Sequence, residues 1–368
     1  TELGGNHTDH QHGRVLAAAV DLDILAAAAP NQSGMIRVQS QGYPLIVVDL
    51  KERDPRPEER NTSAALIRGV AARLAELGCS FAGAGVDVYM TSSVPGGSGL
   101  SSSAAFEVLI GVILNDCFMT EKVSPIAIAQ IGQWAENVYF GKPSGLLDQM
   151  AASVGGFTTM DFADPAAPKI EKIDFDLEKL GYALCVIDTG GNHADLTGEY
   201  AAVPAEMKAV AAEMGASVLR EVDEAAFYAA IPSLRKTVGD RAVLRAIHFF
   251  SDNRIVDEEV GALKSGDFEE FKRLVIASGR SSAVNLQNVF AVVNPQEQGL
   301  SLALALIERQ LSGRGAWRVH GGGFAGTVQA YVPLDMLEGF RAEMEAVFGA
   351  GACYVLSIRG VGGTKVTL

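Results

Sequence analysis

The sequence predicts an α+β protein of two domains. Its 368 residues suffice for more than one substantial core. Helical and strand patterns are interspersed along it without a regular βα repeat. The stretch "DFADPAAPKI", residues 161–170, is polar and turn-rich, and it marks a soft boundary between expected domains at 1–170 and 171–368.

The elements follow in order. "GRVLAAAVDLDILAAAA" reads equally as strands or as a short helix. "AALIRGVAARLAELG" has a helical apolar period with Gly78 as its stop. In "GVDVYMTSS" the alternation of Val86, Val88 and Met90 predicts a strand. "SSAAFEVLIGVILNDC" reads as a mostly buried helix. "SPIAIAQIGQWAENVYFG" has the clearest boundaries, with Ser124 to cap, Pro125 at the first helical position and Gly141 to stop it. "GLLDQMAASVGGFTTMDF" reads as a turn, a short helix and a strand, and "GYALCVIDTG" as a buried strand. Four later segments are helical, "RAVLRAIHFFSDN", "DFEEFKRLVIASG", "EQGLSLALALIERQL" and "LDMLEGFRAEMEAVFG". "GTVQAYVP" and "CYVLSIR" are strands.

Composition narrows the function classes. The chain is 48% hydrophobic and 20% charged, an ordered globular balance. Its formal charge is -14 without a basic block, so no nucleic-acid partner is expected. No apolar run reaches membrane-spanning length and no secretory signal opens the chain. No membrane partner is expected, and the expected location is cytoplasmic. Cys79, Cys117, Cys185 and Cys353 are far apart in sequence, which predicts buried free thiols. His7, His10 and His12 surround Asp9, but their spacing matches no closed zinc motif.

"VPGGSGLSSSAA", residues 94–105, joins the predicted strand to the apolar helix. Glycines let a backbone wrap closely round an anion, and unpaired amides at a helix start favour negative charge. Ser101, Ser102 and Ser103 add hydroxyls that suit a phosphate or Mg²⁺. The loop lacks the Gly-Lys-Ser/Thr ending of a Walker A motif and the glycine spacing of a dinucleotide fingerprint. Its residues therefore fit either a phosphate cradle or a turn whose serines cap the helix.

This loop resembles the second motif of the GHMP small-molecule kinases, Pro-x-x-x-Gly-Leu-x-Ser-Ser-Ala. The resemblance extends in order along nearly the whole chain. "GGNHTDHQHG" is similar to the galactokinase signature Gly-Glu-His-Thr-Asp-Tyr-Asn-Gly. "AENVYFGKPSGLLDQM" resembles the segment that carries the family's catalytic aspartate. "TGEYAAVPAE" and "RAIHFFSDNRIV" resemble two further family stretches, and "WRVHGGGFAGTVQA" resembles the third GHMP motif. The resemblance implies an N-terminal domain like the second domain of ribosomal protein S5 and a ferredoxin-like C-terminal domain. It also implies an ATP-dependent sugar kinase that phosphorylates galactose at its anomeric hydroxyl. A monomer or weak homo-oligomer is expected.

Carried over motif by motif, the site residues are these. Pro95, Gly96, Gly97, Ser98, Gly99, Leu100, Ser101, Ser102 and Ser103 would hold ATP. Ser103 and Glu136 would ligate Mg²⁺. Asp148 would be the base beside the acceptor hydroxyl, with Gly145 near the sugar. The arginine that orients this aspartate in the family would fall immediately ahead of Thr1. His7, Asp9 and Tyr200 would contact the sugar, Asp9 at the C3 and C4 hydroxyls and His7 toward C6. Asn6 stands where the family has a glutamate bonded to the C6 hydroxyl. An uncharged amide there accepts galactose and ceases to repel a C6 carboxylate, so galacturonate is the alternative acceptor, beside a galactosamine derivative. A sugar sensor that has lost catalysis on the same fold is a third reading. Ala325 and His320 also depart from the third motif, where glycine and a hydroxyl residue are usual.

Overall fold

The computed structural model describes residues 1–94, 100–142, 144–191 and 196–366. They fall into two compact units. One contains Thr1–Ala17 and Phe157–Ile358; the other contains the described residues between 18 and 156, joined by those from 359 onward. The units are thus not the consecutive stretches 1–170 and 171–368.

The reason lies in strand pairing. Glu2–Gly4, Arg14–Ala18, Phe157–Asp161 and Lys169–Ile173 form one four-stranded sheet in that order. The N-terminal segment therefore belongs with residues that follow 156. The turn-rich 161–170 stretch is the bend of a hairpin, in which Asp161 pairs with Lys169 and Phe157 with Ile173. "KIEKI" is an exposed edge strand, so it lacks the apolar run by which a buried strand announces itself. The break between units falls at Gly155 and Gly156, both left-handed.

In the second unit the sheet order is Ile24–Asn31, Gly85–Ser92, Met35–Ser40, Ile46–Asp49. The ambiguous opening segment resolves into two strands. Val86, Val88 and Met90 point into the core while Asp87 and Tyr89 are exposed, as the alternation predicts. Helices Ser63–Glu76, Ser102–Phe118 and Pro125–Ala135 supply the covering layer, and Leu66, Ile67, Val70, Leu74, Ile110, Leu114 and Ile131 join the sheet residues in one cluster. Each such side chain contributes about 1.5–3 kcal/mol when fully buried. Ser124 caps its helix by accepting from the Ala127 amide at 3.2 Å, and Pro125 opens it.

The first unit carries a second sheet, in the order Ala316–Val319, Thr327–Pro333, Tyr182–Asp188, Cys353–Leu356, antiparallel throughout. Helices Gly299–Leu311 and Leu337–Phe348 share its apolar cluster through Leu300, Ala303, Ile307, Phe340 and Met344. A second cluster gathers helices Thr197–Glu213, Glu224–Thr237 and Asp240–Ser265 round Met207, Phe227 and Phe249. All four cysteines are free, with Cys79, Cys185 and Cys353 buried and Cys117 only partly so. No helix among the described residues is long and apolar enough to cross a membrane.

Candidate functional site

The site residues form one group in each unit. In the first, the chain leaves the Glu2–Gly4 strand into a tight turn knotted by Thr8, whose hydroxyl donates to the Gly5 and Arg14 carbonyls at 2.8 and 2.6 Å. His7 lies in the left-handed region at φ 59°, a conformation a non-glycine residue keeps only when its surroundings impose it. Its Nε2–H donates to the Gly322 carbonyl at 2.9 Å, which leaves Nδ1 as an acceptor. Burial, then the neighbouring His10, pushes the His7 imidazole down to about 4, so it is neutral at physiological pH. Asp9 is half-buried, and one of its oxygens accepts from the His10 amide at 2.9 Å.

Helix Asp240–Ser265 supports this turn from below. His248, Asp252 and Glu259 are all fully buried, and their spacing puts them on one helix face. The Asp252 carboxylate accepts from the Asn6 amide at 2.8 Å. His248 Nε2 donates to the Asn6 carbonyl at 2.8 Å, while its Nδ1 accepts from the Ser281 hydroxyl at 2.9 Å; burial keeps it neutral. A Cβ at Gly4 would stand 2.0 Å from a Glu259 oxygen, so any larger residue there would have to displace that carboxyl group.

Asn6 itself differs from expectation. It is 0% exposed, and its side chain meets protein on every side. Its Nδ2 donates to the Gly321 carbonyl at 2.6 Å and to Glu2 Oε1 at 2.9 Å. Its Oδ1 accepts from Asn288 Nδ2 at 2.7 Å and from the Ser282 hydroxyl at 3.4 Å. The residue is a structural hub and offers a ligand nothing directly. Two acceptors facing its nitrogen and two donors facing its oxygen call for a carboxamide, and a carboxylate could not satisfy both sets. Glu2, whose carboxyl burial pushes up to about 8, also accepts from the buried Arg318 at 2.7 Å.

The third glycine motif packs on the same turn. Gly321, Gly322 and Gly323 present their carbonyls to Asn6, His7 and Tyr200 respectively, the last at 2.7 Å. The Tyr200 ring stands edge-on to Phe324, 5.3 Å between centroids, and burial pushes its hydroxyl up to about 12. Ala325 is buried in the helical cluster, which takes up the extra methyl group. His320 bridges Thr1 and Thr327, 2.8 Å to each.

The second group lies in the other unit. Pro95, Gly96, Gly97, Ser98 and Gly99 lie outside the described residues. Leu100 is partly buried. Ser101, at φ 60°, precedes helix Ser102–Phe118 and makes no side-chain capping bond. The serines are therefore not spent on a cap there, and Ser103 instead donates to Glu136 Oε1 at 3.2 Å. Glu136 opens a π-helical turn, Glu136–Phe140, closed by left-handed Gly141; such turns are frequent at functional sites. Lys142 Nζ meets the same Oε1 at 3.3 Å. The other oxygen, Oε2, accepts from Gln149 Nε2 at 2.9 Å, and Gln149 also donates to Glu107 Oε2 at 3.0 Å. Asp148 stands exposed in the first turn of helix Leu147–Val154 while Leu147, Gln149 and Met150 are buried. Half-buried Gly145 precedes it, in a turn held by Ser144, whose amide donates to Asn137 Oδ1 at 2.7 Å.

Sequence reasoning missed Glu107 and Gln149. The Glu107 carboxyl is pushed up to about 9, first by burial and then by the Glu136 and Asp148 charges. Because the folded value exceeds the unfolded one, this group's stabilisation is complete below the ordinary carboxylate range and declines as pH rises toward about 9. The slope reaches about 1.4 kcal/mol per pH unit. Glu107→Gln, which cannot ionise, is expected to flatten the decline in urea-unfolding stability between about pH 6 and about pH 9. Parallel declines in the variant and the unchanged protein would refute it.

Comparisons with known proteins bear on the family and the fold. The model for the GHMP kinases N terminal domain matches residues 65–156, and that for the galactokinase galactose-binding signature matches residues 1–30. The galactokinase of Streptomyces coelicolor is 32% identical over 350 residues, covering 95% of this chain and 86% of the relative. That of Actinobacillus pleuropneumoniae serotype 3 is 30% identical over 346 residues, covering 92% and 84%. Among solved structures, Lactococcus lactis galactokinase complexed with galactose has a TM-score of 0.84 at 24% identity, over 99% of this chain and 92% of that one. Methanococcus jannaschii mevalonate kinase has 0.67 at 16% identity, over 97% and 95%. The two solved structures speak to the GHMP kinase fold, the curated relatives to descent. With both family models matching and a relative at this identity spanning nearly its whole length, the chain belongs to the galactokinase family of GHMP kinases.

Proposed function

We propose that this chain transfers the γ-phosphoryl group of ATP to the anomeric hydroxyl of α-D-galactose, giving galactose 1-phosphate and ADP. One observation carries the reading beyond the family likeness: a neutral His7 acceptor stands two residues from the Asp9 carboxylate on a turn whose backbone is fixed from beneath. A rigid pair of hydroxyl-binding groups suits a small polyol, because a wrong analogue leaves them unpaired. In this reading Asp9 binds the C3 and C4 hydroxyls, His7 binds toward C6, and Tyr200 and Gly145 line the sugar.

Asp148 takes the proton as the anomeric oxygen bonds to the γ-phosphorus and the bond to the β-phosphate oxygen breaks. The amides that start helix Ser102–Phe118 and the hydroxyls of Ser101, Ser102 and Ser103 face the triphosphate. Ser103 and Glu136 are hard oxygen donors whose chemistry fits Mg²⁺, which when bound neutralises phosphate charge. Gln149 and Lys142 hold the Glu136 carboxylate in place. Free cysteines suit a reducing, cytoplasmic compartment.

The galacturonate alternative depended on the Asn6 amide facing the substrate, and that amide is committed to protein. ADP release measured over hexoses, uronates and amino sugars is expected to be fastest with galactose. Faster turnover of galacturonate would move the acceptor assignment. Tight galactose binding without turnover would leave a sensor.

A further inference from the structure

Lys142 is none of the residues to which the family motifs assign a role, yet it is tied to Glu136 at both ends. Left-handed Gly141, at φ 88°, turns the chain back over the π-helical turn Glu136–Phe140. The Lys142 amide then donates to the Glu136 carbonyl at 3.2 Å, and the ammonium donates to Glu136 Oε1 at 3.3 Å. The two side chains differ in freedom, that of Glu136 being 3% exposed and that of Lys142 61%. The carboxylate is held from behind, because its Oε2 accepts from Gln149, which is buried and bonded to Glu107. Oε1 is left for other partners, and Ser103 donates to the same atom at 3.2 Å. Ser103 and Lys142 thus converge on one oxygen of a fixed carboxylate.

We propose that Lys142 is a positioning residue whose ammonium occupies the cation position on Glu136 in the nucleotide-free protein and keeps free divalent cations out of it. The inference rests on the proposed function, which assigns Ser103 and Glu136 to Mg²⁺. An ammonium is a compact point charge with three donors and no acceptor, so it satisfies a carboxylate oxygen as a metal ion would. It cannot share that oxygen with a dication, because Mg²⁺ approaches its oxygens to about 2.0–2.1 Å and the two positive charges would repel. One of the two must leave, and the exposed, flexible lysine is the group free to do so. Mg²⁺ that arrives on ATP belongs to a complex of net negative charge. The ammonium therefore opposes the free ion and attracts the nucleotide complex.

The test is a titration with Mn²⁺, which suits the same oxygen ligands and is followed by electron paramagnetic resonance, in the absence of nucleotide. Lys142→Met is expected to bind free Mn²⁺ about 5–10-fold more tightly than the unchanged protein, through loss of one like charge. That gain should shrink as ionic strength rises, since Lys142 is open to solvent. Lys142→Arg, which keeps the charge, should bind Mn²⁺ as weakly as the unchanged protein. The double variant Lys142→Met, Glu136→Gln should lose the gained affinity, because the carboxylate that the ammonium guarded is no longer there. Equal or weaker Mn²⁺ binding by Lys142→Met overturns the inference, as does a gain that persists in the double variant. Neither result touches the proposed acceptor and reaction, which fail instead if galactose is not phosphorylated.

Discussion

Asp148→Asn is expected to lower the rate of galactose phosphorylation by about 10³-fold, the middle of the range for losing a positioned proton acceptor, while galactose and nucleotide still bind. The substitution preserves shape and reach but removes the negative charge and the capacity to take a proton, and it turns one acceptor oxygen into a donor. The helix that carries the residue is anchored by the buried Leu147, Gln149 and Met150, none of which is altered. The first turn of a helix favours a negative charge by about 0.3–1 kcal/mol, so the variant should lose no more stability than that. Single-turnover quench-flow separates the chemical step from binding and product release. Chemistry at the original rate would remove Asp148 from its role and leave the proton to solvent. A parallel loss of galactose affinity would instead make it chiefly a sugar ligand.

Much of this architecture is legible in the sequence because its signals are local. The Ser124–Pro125 start and Gly141 stop bracket one helical run, and the structure needs only a change from α to π winding to fit them. The alternation of Val86, Val88 and Met90 gives the strand directly. What escaped is non-local or concealed. Helix Thr197–Glu213 contains Pro204 and helix Glu224–Thr237 contains Pro232. An interior proline costs a helix about 3 kcal/mol, and here packing overrides it through residues such as Val203, Met207 and Phe227. The pairing of residues 2–18 with 157–173 depends on chain neighbours far apart in sequence, which no local period encodes.

The site divides in the same way. The residues proposed for the site, His7, Asp9, Glu136, Asp148 and Tyr200, lie inside short recognisable strings. Motif matching missed Glu107, Gln149, Asp252 and Asn288, whose roles exist only through partners at long range. One sequence signal was available. His248, Asp252 and Glu259 repeat at helical spacing among apolar neighbours, and polar groups on a buried face require partners. Asn6 was expected to face the sugar, and in the structure its side chain bonds to protein groups. Its uncharged side chain suggested a change of substrate, whereas its surroundings explain it as a donor and acceptor between protein groups.

Asn6→Asp should therefore be among the most damaging single-atom changes in the molecule. It replaces the nitrogen that donates to Gly321 and Glu2 by an oxygen facing two acceptors, inside a fully buried shell. Loss of two buried hydrogen bonds together with an uncompensated acid should cost about 3–5 kcal/mol, or a fall in Tm of roughly 6–15 °C for a unit of this size. The signature turn should loosen with it, and galactose affinity should drop in proportion. The new carboxyl would be held above its ordinary value by burial and by Glu2. A raised folded value means that the deficit shrinks as pH falls and grows as pH rises. The difference between Asn6→Asp and the unchanged protein, measured by urea unfolding at about pH 5.5 and about pH 8, should consequently be smaller at the acidic end. Referencing to the unchanged protein cancels the opposite trend of His7 and His320, which burial keeps neutral and which lose stabilisation as pH falls. Asn6→Ala introduces no acid, so its deficit should be smaller and vary less with pH. A stable Asn6→Asp protein at about pH 8 would mean that the shell rearranges to accept a carboxylate, and the hub role of this residue would fall with it.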